Sequence, residues 1–433
     1  MTTRSRIRVA PRAVRFGRAG RGGIAGACLL VALAGCDLNL LEQDAPSRVV
    51  ADDLTHPSNA ALLVRSAISE FECALAQHVI GTGLVAHELR DGSLSEQWWD
   101  YDRRTLSPAR AQYALNGCGS VVPGNYMALS AARFQADHAL SLLEGWTDAE
   151  VPQRADLIAQ SAAFAGYSLV LLGESMCSAA IDVGPELSRD ELFALAESRF
   201  ERALEAAAAA GNEEITNLVR VGRARARLNR GDLGDAAADA LLVPEGFRVD
   251  ATYSDVSNRR RNRLYTAMYR TPVVTVDSSY HDLTFGGVPD PRVVVVNAGG
   301  SALDSDVPLF QAAKYSDVSS PIRIAGWEEA RLILAEARLA AGDVAGAVEI
   351  INDLHDRVGL PPYGGGTPDE VMAQIIEERR RELFLEGHRL GDLIRYQLPL
   401  TPEPGTPFHR GGTYGSQLCF PLPDVERNNN PNM

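Results

Sequence analysis

The chain has 433 residues, is 45% hydrophobic and 23% charged, and carries a formal net charge of −14. That length is enough for one large core or two to three ordinary ones, and that composition excludes a disordered chain. The acid excess argues against general nucleic-acid binding, because such a protein would approach phosphates against its own field.

The N-terminus reads as a targeting segment. Seven arginines and no acid fall in the first 35 residues, so the remainder carries −21, seven units below the whole-chain value. A short apolar run, Ile24 to Ala34, follows the arginines and suits a secretory signal better than a membrane span. It ends in Leu33-Ala34-Gly35-Cys36, which resembles a bacterial lipoprotein lipobox. The resemblance makes residues 1–35 a signal peptide and Cys36 the lipid-bearing first mature residue. An ordinary cleaved signal with a chance cysteine is the alternative. Each buried methylene of an acyl chain contributes about 0.8 kcal/mol to membrane binding. Asp37 leaves the final membrane open, since an acid after the cysteine favours inner-membrane retention in some bacteria. Residues 36–60 are polar and irregular and read as a tether, with the folded part at 61–433.

Setting Cys28 and Cys36 aside leaves Cys73, Cys118, Cys177 and Cys419. An exported protein permits disulfides, but the sequence does not choose among the pairings, and buried free thiols are the alternative. No Cys-x-x-Cys or His/Cys spacing suggests a metal site.

Residues 61–80 have helical apolar spacing, with Gly81 and Gly83 expected to end the helix. Next comes Ser95-Glu-Gln-Trp-Trp-Asp-Tyr-Asp-Arg-Arg104. Trp98, Trp99 and Tyr101 in that polar setting suggest a surface platform on which sugar rings would stack, with Asp, Gln and Arg bonding hydroxyls. The same aromatics would equally serve to pin the segment to a core. Amphipathic helices follow at 123–144, 154–172, 188–210 and 213–230.

An internal repeat links Ala226-Arg-Leu-Asn-Arg-Gly-Asp-Leu-Gly-Asp-Ala236 to Ala337-Arg-Leu-Ala-Ala-Gly-Asp-Val-Ala-Gly-Ala347. A Gly-Asp turn between helices and a small residue where they cross is tetratricopeptide logic. It predicts helix pairs at 191–242 and 326–358, with 126–172 as a degenerate third. Between them, residues 244–325 lose helical periodicity and read as a loop-rich insertion with short strands. Tyr265, Tyr269, Tyr280, His281 and Phe285 lie there, either as ligand contacts or as ordinary loop packing, and Tyr280 joins the candidate ligand residues.

Residues 367–396 hold the densest information. Thr367, Pro368 and Glu370 form a helix start, and Val371, Ile375, Ile376, Leu383, Phe384, Leu390, Leu393 and Ile394 continue an apolar stripe. Opposite charges three apart (Glu378 and Arg381, Glu386 and Arg389, Arg389 and Asp392) are placed to pair along one helix. Gly387 and Gly391 interrupt that helix and suggest a close approach by another backbone.

Arg379, Arg380, Glu382, Leu383, Glu386, Gly387, Arg389, Asp392 and Leu393 fit the run Arg-Arg-x-Glu-Leu-x-x-Glu-Gly-x-Arg-x-x-Asp-Leu. The segment closely resembles the signature of the SusD/RagB family, surface lipoproteins that help import nutrients. Asp290-Pro-Arg292, Lys314-Tyr315, the helix Trp327 to Ala337 and the tail from Cys419 to Asn432 resemble family features in the same order. The resemblance implies a mostly α-helical fold of tetratricopeptide-like repeats with the loop-rich insertion, anchored outside the outer membrane. It implies capture of an oligosaccharide, or a peptide, and delivery to a SusC-like TonB-dependent transporter on which the lipoprotein sits as a lid. It makes residues 367–396 an architectural lock and His388 structural.

Trp98, Trp99, Tyr101 and Tyr280 are the candidate ligand contacts, and no cofactor, metal or catalytic residue is expected. There is no Gly-x-Ser-x-Gly, no His-Glu-x-x-His and no phosphate-cradling glycine loop. The other readings are a lipid-anchored repeat scaffold for protein partners and a surface glycosidase using two of the many carboxylates.

Overall fold

A computed structural model describes residues 54–110 and 112–433. The signal peptide, Cys36 and most of the tether expected from sequence lie outside the described residues.

The first helix, α1 (Ala60–Val85), is buried along most of its length. It does not stop at Gly81 or Gly83. A side chain at Gly81 would lie 3.5 Å from the Tyr101 ring and one at Gly83 would lie 3.3 Å from Leu89, so the glycines admit close neighbours inside the helix instead of ending it. Strand β1 (Leu89–Asp91) and helices α2 (Glu96–Asp102) and α3 (Gln112–Leu115) follow. Then α4 (Tyr126–Gly145), α5 (Arg154–Ser175), α6 (Arg189–Ala210), α7 (Glu213–Arg230) and α8 (Leu233–Ala240) pack each against the next, with α1 against α4 and α5. By composition and length α5 is apolar enough to cross a membrane, yet 83% of its most apolar stretch is buried by its neighbours.

A strand hairpin, β2 (Ser178–Ala180) and β3 (Glu186–Ser188), joins α5 to α6. The 244–325 region contains β4 (Arg248–Ala251), β5 (Val274–Val276), β6 (Thr284–Phe285), β7 (Val288–Pro289), β8 (Val295–Ser301), β9 (Pro308–Ala312) and β10 (Ile322–Gly326). They pair only in twos, all antiparallel: β1 with β5, β4 with β10, β6 with β7 and β8 with β9. The last helices are α9 (Trp327–Ala340), α10 (Val344–Val358), α11 (Pro368–Glu382), α12 (Arg389–Arg395) and α13 (Asp424–Asn429). The fold is mostly helical.

The repeated Gly-Asp turns share a geometry. Gly231 and Gly342 both close a helix with φ +84, a left-handed conformation that glycine adopts without steric cost. The Asp343 side chain then accepts from the Gly346 amide, and Ala236 and Ala347 are fully buried where the following helices pack.

The 367–396 segment is two helices joined by a tight turn, not one helix. Thr367 and Glu370 form the capping box of α11. The chain then reverses through Leu385 (φ 56) and Gly387 (φ 86), where a side chain on Gly387 would fall 2.8 Å from the His78 ring. None of the expected pairs along the segment forms, because the turn rotates Glu386 and Arg389 apart and other elements present better partners. Glu378 accepts from Arg292 (2.6 Å) and contacts His355 (2.8 Å); Arg381 reaches Glu377 (2.7 Å) and Asp290 (3.3 Å). Glu386 lies between Lys314 (2.5 Å) and Arg323 (2.8 Å), and Arg379 pairs with Asp392 (3.0 Å). The Tyr315 hydroxyl donates to the Leu385 carbonyl (2.9 Å), and His78 reaches the Gly387 carbonyl (3.3 Å). Below the turn, Arg225 of α7 forks onto Glu174 of α5 (2.5 and 2.7 Å) and meets His388 (3.2 Å).

Two disulfides resolve the open pairing: Cys73 with Cys118 and Cys177 with Cys419. The second ties the chain end to the α5–α6 connection, beside the Met176–Phe420 bridge.

Burial alone would raise the Glu386 carboxyl, but Arg323 and Lys314 outweigh it and hold it below its ordinary value. A depressed carboxylate stabilises the fold above its unfolded pKa of about 4.5 and loses that contribution as pH falls through the folded value. Glu386→Gln should therefore lower unfolding free energy by about 3 kcal/mol at neutral pH, since it leaves Lys314 without its carboxylate and Arg323 with only Glu328 and Glu382, and should flatten the stability profile below pH ~4.5. Urea titrations across pH test this, and a loss under about 1 kcal/mol would sink it. Replacing Cys177 and Cys419 with Ala removes a cross-link spanning 242 residues and should cost on the order of 4 kcal/mol in the same titration. An unchanged midpoint would show that the bridge does not restrict the unfolded chain.

Candidate functional site

The segment expected to carry an aromatic surface platform is a helix. Ser95 enters α2 with extended backbone and Glu96 occupies its first turn, where a negative charge complements the helix N-terminus. Helical spacing then divides the aromatics. Trp98 and Tyr101, three apart, point together into the core at 2% and 1% exposure, while Trp99 is turned to the rim and is half-buried.

Tyr101 packs on Phe420 (ring centroids 5.7 Å apart), and its hydroxyl donates to the Pro123 carbonyl. Trp98 and Tyr101 are thus corrected from ligand platform to core residues. Tyr280 needs the same correction. It sits at 1% exposure in the short turn after β5, stacked on Phe384 at 4.7 Å and covered by Arg380 at 4.2 Å. Among the described residues it makes no ring contact with the α2 aromatics.

Trp99 has different company. Phe408, from the 401–415 loop, lies 6.4 Å from its ring, and Arg103 lies 6.0 Å from the Phe408 ring. Arg103 donates to Asp100 (2.8 Å) and the Gly411 carbonyl (3.4 Å), while the more exposed Arg110 approaches Asp100 at 3.6 Å. Glu96, Gln97 and His409 are exposed nearby in sequence, and Asp304 holds Arg410 and His409. This face combines part of an indole with arginine, carboxylate and amide groups. That combination suits hydroxyl-rich rings, which present an apolar face to an aromatic and a polar edge to hydrogen-bonding side chains.

Phe408, Arg103, Arg110 and the 401–415 loop were not singled out from sequence. The signal for the loop was Pro402, Pro404, Pro407, Gly411 and Gly412 around Phe408-His409-Arg410, a rigidly punctuated turn carrying an aromatic.

Arg90 of β1 connects this face to the insertion. It donates to the Tyr414 hydroxyl (2.7 Å) and reaches Asp102 and Asp277 at 3.5 Å each. Beside it, burial pushes the Asp91 carboxyl up to about 8 despite hydrogen bonds from Ser93. The remaining insertion aromatics pack among themselves or on the body: Tyr265 on Tyr269 (5.0 Å), His281 on Phe310 (3.9 Å) and Phe285 on His355 (4.4 Å). Among the described residues no group of three His, Cys, Asp or Glu side chains is placed to hold a metal ion.

Residues 322–433 match the SusD family. A SusD-like protein of Formosa agariphila is 31% identical over 109 residues, a stretch covering 23% of this chain and 19% of that protein, so the match spans about a fifth of the curated relative's length. A SusD superfamily protein of Bacteroides vulgatus superposes with a TM-score of 0.66 at 15% identity, covering 87% of this chain and 97% of that one. A SusD-like carbohydrate binding protein of the same organism gives 0.63 at 17% identity over 87% and 97%. A laminarin binding SusD-like protein gives 0.60 at 15% identity over 86% and 99%. Residues 322–433 thus carry the sequence pattern of the SusD family, and the described body as a whole shares the fold of SusD superfamily proteins.

Proposed function

We propose that this protein binds an oligosaccharide on the face formed by α2 and the 401–415 loop, with Trp99 as the stacking ring and Arg103, Asp100 and Gln97 as hydroxyl partners. The observation that carries the reading is the half-buried Trp99 held beside Phe408 on a SusD fold, among solved relatives whose own ligands are named as carbohydrate and laminarin. The role is capture without turnover. A lipid on Cys36 would anchor the protein outside the outer membrane, and the captured glycan would pass to a SusC-like TonB-dependent barrel beneath it. A peptide ligand is the second choice for the same face.

Titration of the purified protein against a panel of soluble glycans tests the site. Trp99→Ala should weaken the best glycan about tenfold, equivalent to about 1.4 kcal/mol, with the melting temperature nearly unchanged. Trp98→Ala should instead cost about 3–5 kcal/mol of stability, because it empties a core position. Equal glycan affinity in wild type and Trp99→Ala would reject the face. Recovery of shortened glycan from the wild-type mixture would reject capture without turnover. Co-purification of a TonB-dependent barrel from native membranes tests the delivery step, and a clean preparation without a barrel would remove it.

A further inference from the structure

A second recess lies away from the Trp99 face. It encloses about 360 Å³ between the β5 turn, α11, α12 and the chain at 398–401. That is within the usual range of small-molecule sites, about 300–1,000 Å³. Ile376, Leu393, Leu398 and Leu400 make one wall apolar. The charged groups on the other walls are Arg104, Arg380, Arg389, Asp277 and Glu377.

The charges do not balance inside the recess. Asp277 is engaged by Arg90 (3.5 Å), which is outside it, and Glu377 is shared by Arg380 (3.0 Å) and Arg381 (2.7 Å). Arg104 donates to the Gly415 carbonyl (3.0 Å) and to the carbonyls of Thr401 and Pro402, which are neutral acceptors. Arg389 makes no close ion pair and no hydrogen bond among the described residues and its Nη1 is buried without a partner, while the buried carboxyls of Glu88 and Asp392 act on it only from farther off. Sequence spacing offered Arg389 both Glu386 and Asp392, and the turn gives Glu386 to Lys314 and Arg323 and gives Asp392 to Arg379.

Two more lining groups are left open. The Tyr280 hydroxyl, in a side chain 99% buried, has no well-formed hydrogen bond. His87, 94% buried, donates through Nε2 to the Asp102 carbonyl (2.9 Å). Its Nδ1 is therefore a bare acceptor, and that atom also lacks a partner. A buried donor or acceptor left unsatisfied is costly, more so for a charged group, so three around one recess mark a place where a ligand's polar atoms gain most.

We propose that this recess binds a small hydroxycarboxylate. The carboxylate takes Arg389 and the Tyr280 hydroxyl, a ligand hydroxyl donates to His87 Nδ1, and the carbon skeleton lies on the leucine and isoleucine wall. The proposal does not rest on the Trp99 face and predicts independent binding there.

Sodium glucuronate is the probe, titrated calorimetrically into the full soluble chain, with glucose and propionate as comparisons. Glucuronate should bind, glucose should bind at least tenfold more weakly for want of the charge, and propionate more weakly for want of the hydroxyl. Arg389→Gln should weaken glucuronate at least tenfold and Tyr280→Phe about threefold. Circular dichroism checks folding, and if Arg389→Gln is unfolded the isosteric Tyr280→Phe carries the test. Absence of heat and of thermal shift with glucuronate at about 10 mM overturns the proposal. So does equal affinity for glucose, or wild-type affinity in Tyr280→Phe and in a folded Arg389→Gln.

Discussion

One buried carboxylate joins three segments of the C-terminal third. Glu386 sits between Lys314 and Arg323, in a turn whose backbone is held by Tyr315 from one side and Glu88 from the other. Burying three charges is expensive unless each is paired, so the turn forms only when the insertion, β10 and the end of α11 all arrive in register. The same logic extends outward. Asp290 joins Arg292 and Arg381, Arg292 reaches Glu378, and Glu378 meets His355 of α10. These ion pairs contribute less through net stability than through selectivity, since any misplacement strands a buried charge.

That clasp is what allows a loop-rich insertion to sit on a helical array. The strand pairs of the insertion are only two strands wide and would be marginal alone. They borrow rigidity from the helices: β5 is paired to β1, which follows directly from α1, and β10 runs into α9. Arg90 and the Cys177–Cys419 bridge hold the tail loops against the same body. The Trp99 face and the Arg389 recess both lie where these late segments meet early ones. This is the usual place for binding groups on a rigid frame.

The helices, the two Gly-Asp turns and the capping box of α11 were legible in the sequence because each depends on residues within one or two turns of chain. Apolar spacing, a glycine able to take positive φ, and a threonine three residues before a glutamate carry their own geometry. The resemblance carried by Arg379 to Leu393 was legible for a related reason: a segment that clasps so many partners keeps its residues in a fixed order. Which partners they take was not legible. Spacing along a helix nominated Glu386 with Arg389. The left-handed turn at Leu385 and Gly387 rotated the two apart and supplied Lys314 and Arg323, distant in sequence.

The binding residues divide in the same way. Sequence alone established that Trp98, Trp99 and Tyr101 form a concentrated aromatic cluster. It could not say which of them would be buried, because that depends on a helical phase set by Pro123, 22 residues on, and by Phe420, near the other end of the chain. It gave four cysteines but no pairing, since pairing is a matter of which Cα atoms come within bridging distance, here 5.8 and 5.0 Å. Local order is written in neighbouring residues. Burial, charge pairing and the free valence of Arg389 are properties of what packs against each group, and only the folded chain supplies that.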